Sequence, residues 1–135
     1  MKEVLRTKYD VVYVDEKNQI VKNEWSEETQ NMDWEEFKSE LLALKEIVVK
    51  NKTYGILGDT SGLFYAITPK QQEWIAQYYF PDVLAAGLKK YSIVVSKDII
   101  TEVSVEQTIE ENKNAPFSTK YFDNQESALN WLLAK

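Results

Sequence analysis

Residues 34–59 read WEEFKSELLALKEIVVKNKTYGILGD, and a change of period inside that stretch decides the fold. Trp34, Phe37, Leu41, Leu44 and Val48 recur three and four apart, which sets them on one face of an α-helix. Glu35, Glu36, Lys38, Glu40 and Lys45 fill the opposite face. Asn31 or Asp33 is placed to cap the start by accepting a hydrogen bond from a free backbone N–H. The helical period then stops. Thr53 to Leu57 is short and apolar and reads as a strand, and Gly58-Asp59-Thr60-Ser61-Gly62 is a turn-rich loop. A helix feeding a short buried strand is the repeating step of an α/β sheet.

The flanks extend the alternation. Tyr9 to Val14 and Gln19 to Trp25 read as strands joined by the turn residues Asp15-Glu16-Lys17-Asn18, an opening hairpin. After the loop, Thr68-Pro69 marks a helix start, with Thr68 as N-cap and Pro69 at the first helical position. That helix carries Trp74, Ile75 and Tyr78 and ends before Pro81; a short helical piece over Asp82 to Ala86 and Gly87 close the region. Tyr91 to Val95 is a strand. Residues 99–112 fit two periods, since Thr101, Val103 and Val105 also alternate as a strand would, and the surrounding order reads most of the segment as helix. Phe117 to Phe122 is the last strand. Asp123, with Glu126 three residues on, caps a closing helix whose buried face is Ala128, Leu129, Leu132 and Leu133. The expected order is ββαβαβαβα, a single α/β domain over residues 1–135 with a mixed, largely parallel sheet.

Composition narrows the function. The 135 residues carry 16 basic and 22 acidic side chains, a net charge of −6. No Lys or Arg run exceeds the pair Lys89-Lys90, so nucleic acid and anionic membrane surfaces are not expected partners. The absence of both Cys and His removes Ser-His-Asp and Cys-His catalysis, disulfides, and His- or Cys-ligated zinc. Neither a G-x-x-x-x-G-K-[ST] loop nor a G-x-G-x-x-G fingerprint occurs. No cofactor and no metal are expected. Apolar runs are too short to span a bilayer, and Met1 to Arg6 lacks the apolar stretch of a signal peptide, so the expected location is the cytoplasm.

Ligands of open α/β sheets bind beyond the carboxyl ends of the strands. Asp59, Thr60 and Ser61 follow one strand, Ser96 and Asp98 follow the next, and Thr68 opens a helix on the same rim, where a negative group would meet free N–H groups. These residues are the candidate ligand or regulatory rim, and turn and cap chemistry accounts for the same residue types. Two carboxylates, Asp59 and Asp98, are too few for a dedicated metal cage. Tyr78-Tyr79-Phe80 is either a partner surface or core filling beneath a helix end; Trp34, Trp74 and Trp131 read as core.

Three stretches carry a family likeness: Gly55-Ile56-Leu57-Gly58-Asp59, Ile67-Thr68-Pro69-Lys70-Gln71-Gln72-Glu73-Trp74-Ile75, and Tyr121-Phe122-Asp123-Asn124-Gln125-Glu126-Ser127-Ala128-Leu129-Asn130-Trp131-Leu132. With the element order, they resemble the STAS superfamily, the domain of sulfate transporters and anti-sigma-factor antagonists, and in particular its small stand-alone bacterial members. Asp59-Thr60-Ser61-Gly62 looks like that family's Asp-Ser-Ser-Gly phosphorylation motif. It directly follows a strand, however, while the family's phosphorylated hydroxyl opens a helix, which here falls near Thr68-Pro69. The resemblance implies a regulatory, non-catalytic module that binds a protein partner or itself. The alternative is a carrier of a small apolar or anionic molecule, because SEC14-type lipid-transfer domains have a related core. A cavity of about 300 Å³ or more is the mark of such a carrier, and clustered carboxylates or lysines with shifted pKa are the mark of an enzyme.

Overall fold

In the computed structural model, which describes residues 1–134, strands β2 (Asp10–Asp15) and β3 (Ile20–Trp25) form the expected hairpin, with Asp15 opposite Ile20 and Asp10 opposite Trp25. Asp15 Oδ1 accepts from Asn18 N at 3.1 Å, and Gln19 takes a left-handed φ of 54° to turn the chain back. The Gln19 carbonyl then accepts from Tyr54 N and Gly55 N. That tie sets the hairpin beside the next strand.

A 3-10 turn over Glu27–Asn31 leads into α1 (Trp34–Lys50). Asp33 is the cap, its side chain accepting from Glu36 N while Glu36 reaches back to Asp33 N, a reciprocal capping box. Phe37, Leu41, Leu44 and Val48 are its buried face. Then follow β4 (Gly55–Asp59), α2 (Pro69–Tyr78), α3 (Phe80–Ala85), β5 (Lys90–Val94), α4 (Ile99–Glu110), β6 (Ser118–Phe122) and α5 (Gln125–Leu133). Strands β3 to β6 are parallel and lie side by side in chain order.

Consecutive parallel neighbours joined by right-handed crossovers put their connecting helices on one face. The main core holds Val12, Val21, Ile56 and Ile93 from the sheet under Leu44, Ile75, Val83 and Val105 from those helices. Helix α5 packs on the other face, where Ala128 and Leu132 bury against Ile20, Leu57 and Val94. With both faces covered, Ile56 and Leu57 of β4 are equally buried, which is why this strand reads as an unbroken apolar run.

The α/β class and the mixed, mostly parallel sheet are as expected; the element order is not. An additional strand, β1 (Lys2–Arg6), pairs antiparallel with β2 across an irregularity between Glu3 and Leu5. It lies at the sheet edge with four of its five residues exposed, so no buried face marks it in the sequence. The piece expected after Pro81 begins at Phe80, with Pro81 in its first turn. The closing helix is capped by Asn124, whose Oδ1 accepts from Ser127 N at 2.8 Å, and not by Asp123. This register turns Leu133 outward, 42% exposed, instead of into the core.

Candidate functional site

Helix α4 is built inside out. A helix on a sheet ordinarily buries an apolar stripe and shows water a polar one. Here the buried residues are Thr101, Ser104, Val105 and Thr108. The exposed ones include Ile99, Ile100 and Val103, which are 78%, 67% and 49% accessible. Asp98 caps the helix, its Oδ2 accepting from Thr101 N at 3.0 Å and from Thr101 Oγ1 at 2.6 Å.

The buried hydroxyls hold the chain segment that follows β4. Thr101 Oγ1 accepts from Tyr65 N at 3.0 Å and Ser104 Oγ accepts from Ile67 N at 2.9 Å. Residues three apart share a helix face, and N–H groups two apart share a side of extended chain, so the two spacings match. Each hydroxyl also spends its own proton: Ser104 Oγ donates to Thr101 O and Thr108 Oγ1 donates to Ser104 O. The near end of the segment is fixed by Thr29 Oγ1, which accepts from Phe64 N at 2.9 Å. A Cβ on Gly62 would stand 2.6 Å from the Trp25 carbonyl oxygen, so only glycine passes there without a shift.

The expected rim residues divide among these structural tasks. Thr60 is buried, and its N–H and Oγ1 both donate to Val94 O, locking β4 to β5. Asp59 uses Oδ1 for Ser61 N at 2.9 Å and Oδ2 for Gln125 Nε2 at 2.6 Å, which draws it toward α5. Ser96 Oγ donates to Leu63 O at 2.8 Å and accepts from Asp98 N at 3.1 Å, so Ser96 and Asp98 sit together at the start of α4. Thr68 stands apart as the exposed cap of α2, in a capping box with Gln71. Thr60 thus ties β4 to β5, Asp59 turns toward α5, Ser96 and Asp98 open α4, and Thr68 opens α2.

Two carboxylates flank the apolar end of α4. Glu102 Oε1 accepts from Ser96 N at 2.9 Å, while its Oε2 is buried with no partner among the described residues. Burial chiefly, with Glu106 adding, pushes the Glu102 carboxyl up to about 7, against the Ser96 hydrogen bond. Tyr121 on β6 is 40% exposed. Burial, then the charges of Glu106, Glu102 and Glu110, lift its hydroxyl to about 12, which places it along the same acidic flank. Among the described residues no group of three or more Asp, Glu, His or Cys side chains is placed to hold a metal ion. No helix among them is long and apolar enough to cross a membrane.

The aromatic run divides as well, with Tyr79 and Phe80 buried and Tyr78 exposed. Trp34 and Trp74 are partly buried and meet edge to face at 5.4 Å, joining α1 to α2. Sequence reasoning missed Ile99, Ile100 and Val103 as a surface and Thr101, Ser104 and Thr108 as a hydroxyl ladder. The signal was present as hydroxyls at helical spacing, masked by the strand-like alternation of Thr101, Val103 and Val105 in the same segment. No family model, no curated protein and no solved structure matches the chain.

Proposed function

We propose that this chain is a STAS-like, non-catalytic regulatory module that docks a protein partner on the outer face of α4. The observation that carries the reading is the exposure of Ile99, Ile100 and Val103 on adjoining turns of one helix, while the buried face is Val105 with the hydroxyl-bearing Thr101, Ser104 and Thr108. Exposing that much branched hydrocarbon has no folding benefit, and rimmed apolar patches are characteristic of interaction sites. The charge on α4 is acidic: Glu102, Glu106 and Glu110 are its only charged residues and Glu111 follows, while the exposed Lys97 lies just before its cap Asp98. The occupant that fits is a protein with an apolar pocket ringed by Lys or Arg. A second copy of the chain fits poorly, because it would bring the same carboxylates face to face.

The competing readings have less to stand on. The core cavity measures about 70 Å³, well below the roughly 300–1,000 Å³ of ordinary small-molecule sites, and the hollow of about 710 Å³ beside Lys45, Val49 and Ala86 is a more open surface groove. The carboxyls raised furthest, Asp10 and Glu102, lie in different places, one closed in on β2 and one on the flank of α4.

Site-specific photo-cross-linking in the cells that make the protein tests the docking face. A cross-linker at position 99 is expected to capture one basic protein, and the same group at position 133 on α5 is expected not to. Equal capture from both positions, or capture only of a second copy, contradicts the proposal.

A further inference from the structure

Between the sheet and the helices α1 to α4 lies a cavity of about 70 Å³ whose wall is largely hydrocarbon and ring carbon, including Phe37, Ile75, Phe80, Ile93 and Val105. One polar atom on it is orphaned. Asn23 is 1% exposed. Its Nδ2 donates to the two Asp10 carboxyl oxygens at 3.4 and 3.5 Å, and its Oδ1 has no donor among the described residues. That oxygen looks over Gly58, where a Cβ would come 3.6 Å from Asn23 Oδ1 and 3.3 Å from Tyr91 Cε1. The glycine keeps this end open. Tyr79 and Tyr91, both on the wall, share a hydrogen bond of 3.1 Å that uses one of their two hydroxyl protons.

A buried acceptor without a donor forfeits its hydration, so the site favours an occupant that brings one. Size sets the first limit: a cavity of about 150 Å³ takes the six carbons of benzene, so one of about 70 Å³ takes roughly three heavy atoms. Charge sets the second. The wall offers an ion no counter-charge, and burial pushes the Asp10 carboxyl behind Asn23 up to about 8. Water meets both limits too and finds partners in Asn23 Oδ1 and the spare tyrosine hydroxyl, but it leaves the hydrocarbon part of the wall unmatched.

We propose that the cavity binds a small neutral molecule with one O–H or N–H donor, set on Asn23 Oδ1, and about two carbons against the apolar wall. This site is independent of the outer face of α4. Ethanol is the probe. Titrated into isotope-labelled protein, it is expected to shift the Ile75, Ile93 and Val105 methyl signals saturably and to give intermolecular NOEs to them. Asn23→Leu, close to isosteric, is expected to weaken that binding about tenfold while xenon, an apolar probe, still enters. Linear shifts without saturation, NOEs at those methyls from water alone, or unchanged alcohol affinity in Asn23→Leu overturn the proposal. Should Asn23→Leu not fold, Gly58→Ala narrows the same polar end and is expected to lower alcohol affinity in the same way.

Discussion

Ser104 and Ile67 lie 37 residues apart and meet in one hydrogen bond, the serine hydroxyl oxygen accepting the Ile67 backbone N–H at 2.9 Å. Both residues are buried, so water has no ready access to that N–H if the hydroxyl is removed. Ser104→Ala is therefore expected to cost about 1–3 kcal/mol in urea unfolding. Hydrogen exchange at the Ile67 amide is expected to speed up more than at Leu57. A stability change within experimental error would mean the segment is held by its other contacts.

Thr68→Ala removes the α2 cap, in which Thr68 Oγ1 accepts from Gln71 N at 3.3 Å. Loss of an N-cap costs about 1 kcal/mol. Thermal unfolding is expected to show that loss in full, because Thr68 is exposed and its removal leaves no cavity.

Stability is expected to fall between about pH 4 and pH 8 because of Asp10. Burial chiefly, with the charges of Glu40 and Glu24 adding and the Asn23 and Val11 hydrogen bonds opposing, pushes its carboxyl from 3.8 up to about 8. In that window the folded protein keeps a proton that the unfolded chain has released, so rising pH favours unfolding. Glu102, pushed up to about 7, acts with the same sign. Asp10→Asn isolates the first contribution. Denaturant titrations are expected to show the variant more stable than wild type at pH 8, the gap closing toward pH 4. A gap of constant size across that range would assign the effect to packing instead of protonation.

Lys90 closes the end of α5. Its Nζ donates to Trp131 O at 2.9 Å and to Ala134 O at 2.7 Å, and stands 4.8 Å from the Trp131 ring centre. A cation at a helix C-terminus satisfies free carbonyls and complements the dipole. Lys90→Met keeps the stem and removes the charge, and is expected to cost about 1 kcal/mol with a change in tryptophan emission.

Legibility in the sequence tracked how much of each element's burial falls on one side. Helix α1 was plain from Trp34, Phe37, Leu41, Leu44 and Val48, and Thr68-Pro69 marked α2 to the residue, because cap chemistry is local. Strand β1 was not legible, since Lys2, Glu3, Val4 and Arg6 are all exposed and only pairing with β2 holds them. The cap of α5 was misplaced by one residue, since Asp123 and Asn124 are both competent and tertiary packing of Ala128 and Leu132 sets the register. The exposed apolar face of α4 was hidden for a different reason. Pattern reading assumes apolar residues point inward, and α4 reverses that, with Thr101 and Ser104 buried as acceptors for a neighbouring backbone.

The affinity of the protein cross-linked from position 99, measured by titration calorimetry against wild type and against the double variant Ile99→Asp, Val103→Asp, tests the docking face most directly. Both positions are exposed, so the variant is expected to keep its melting temperature. Its affinity is expected to fall at least about 30-fold, as for residues at the centre of an interface, and the wild-type affinity to weaken with added salt. Unchanged affinity in a folded variant would place the interaction on another surface and contradict the account.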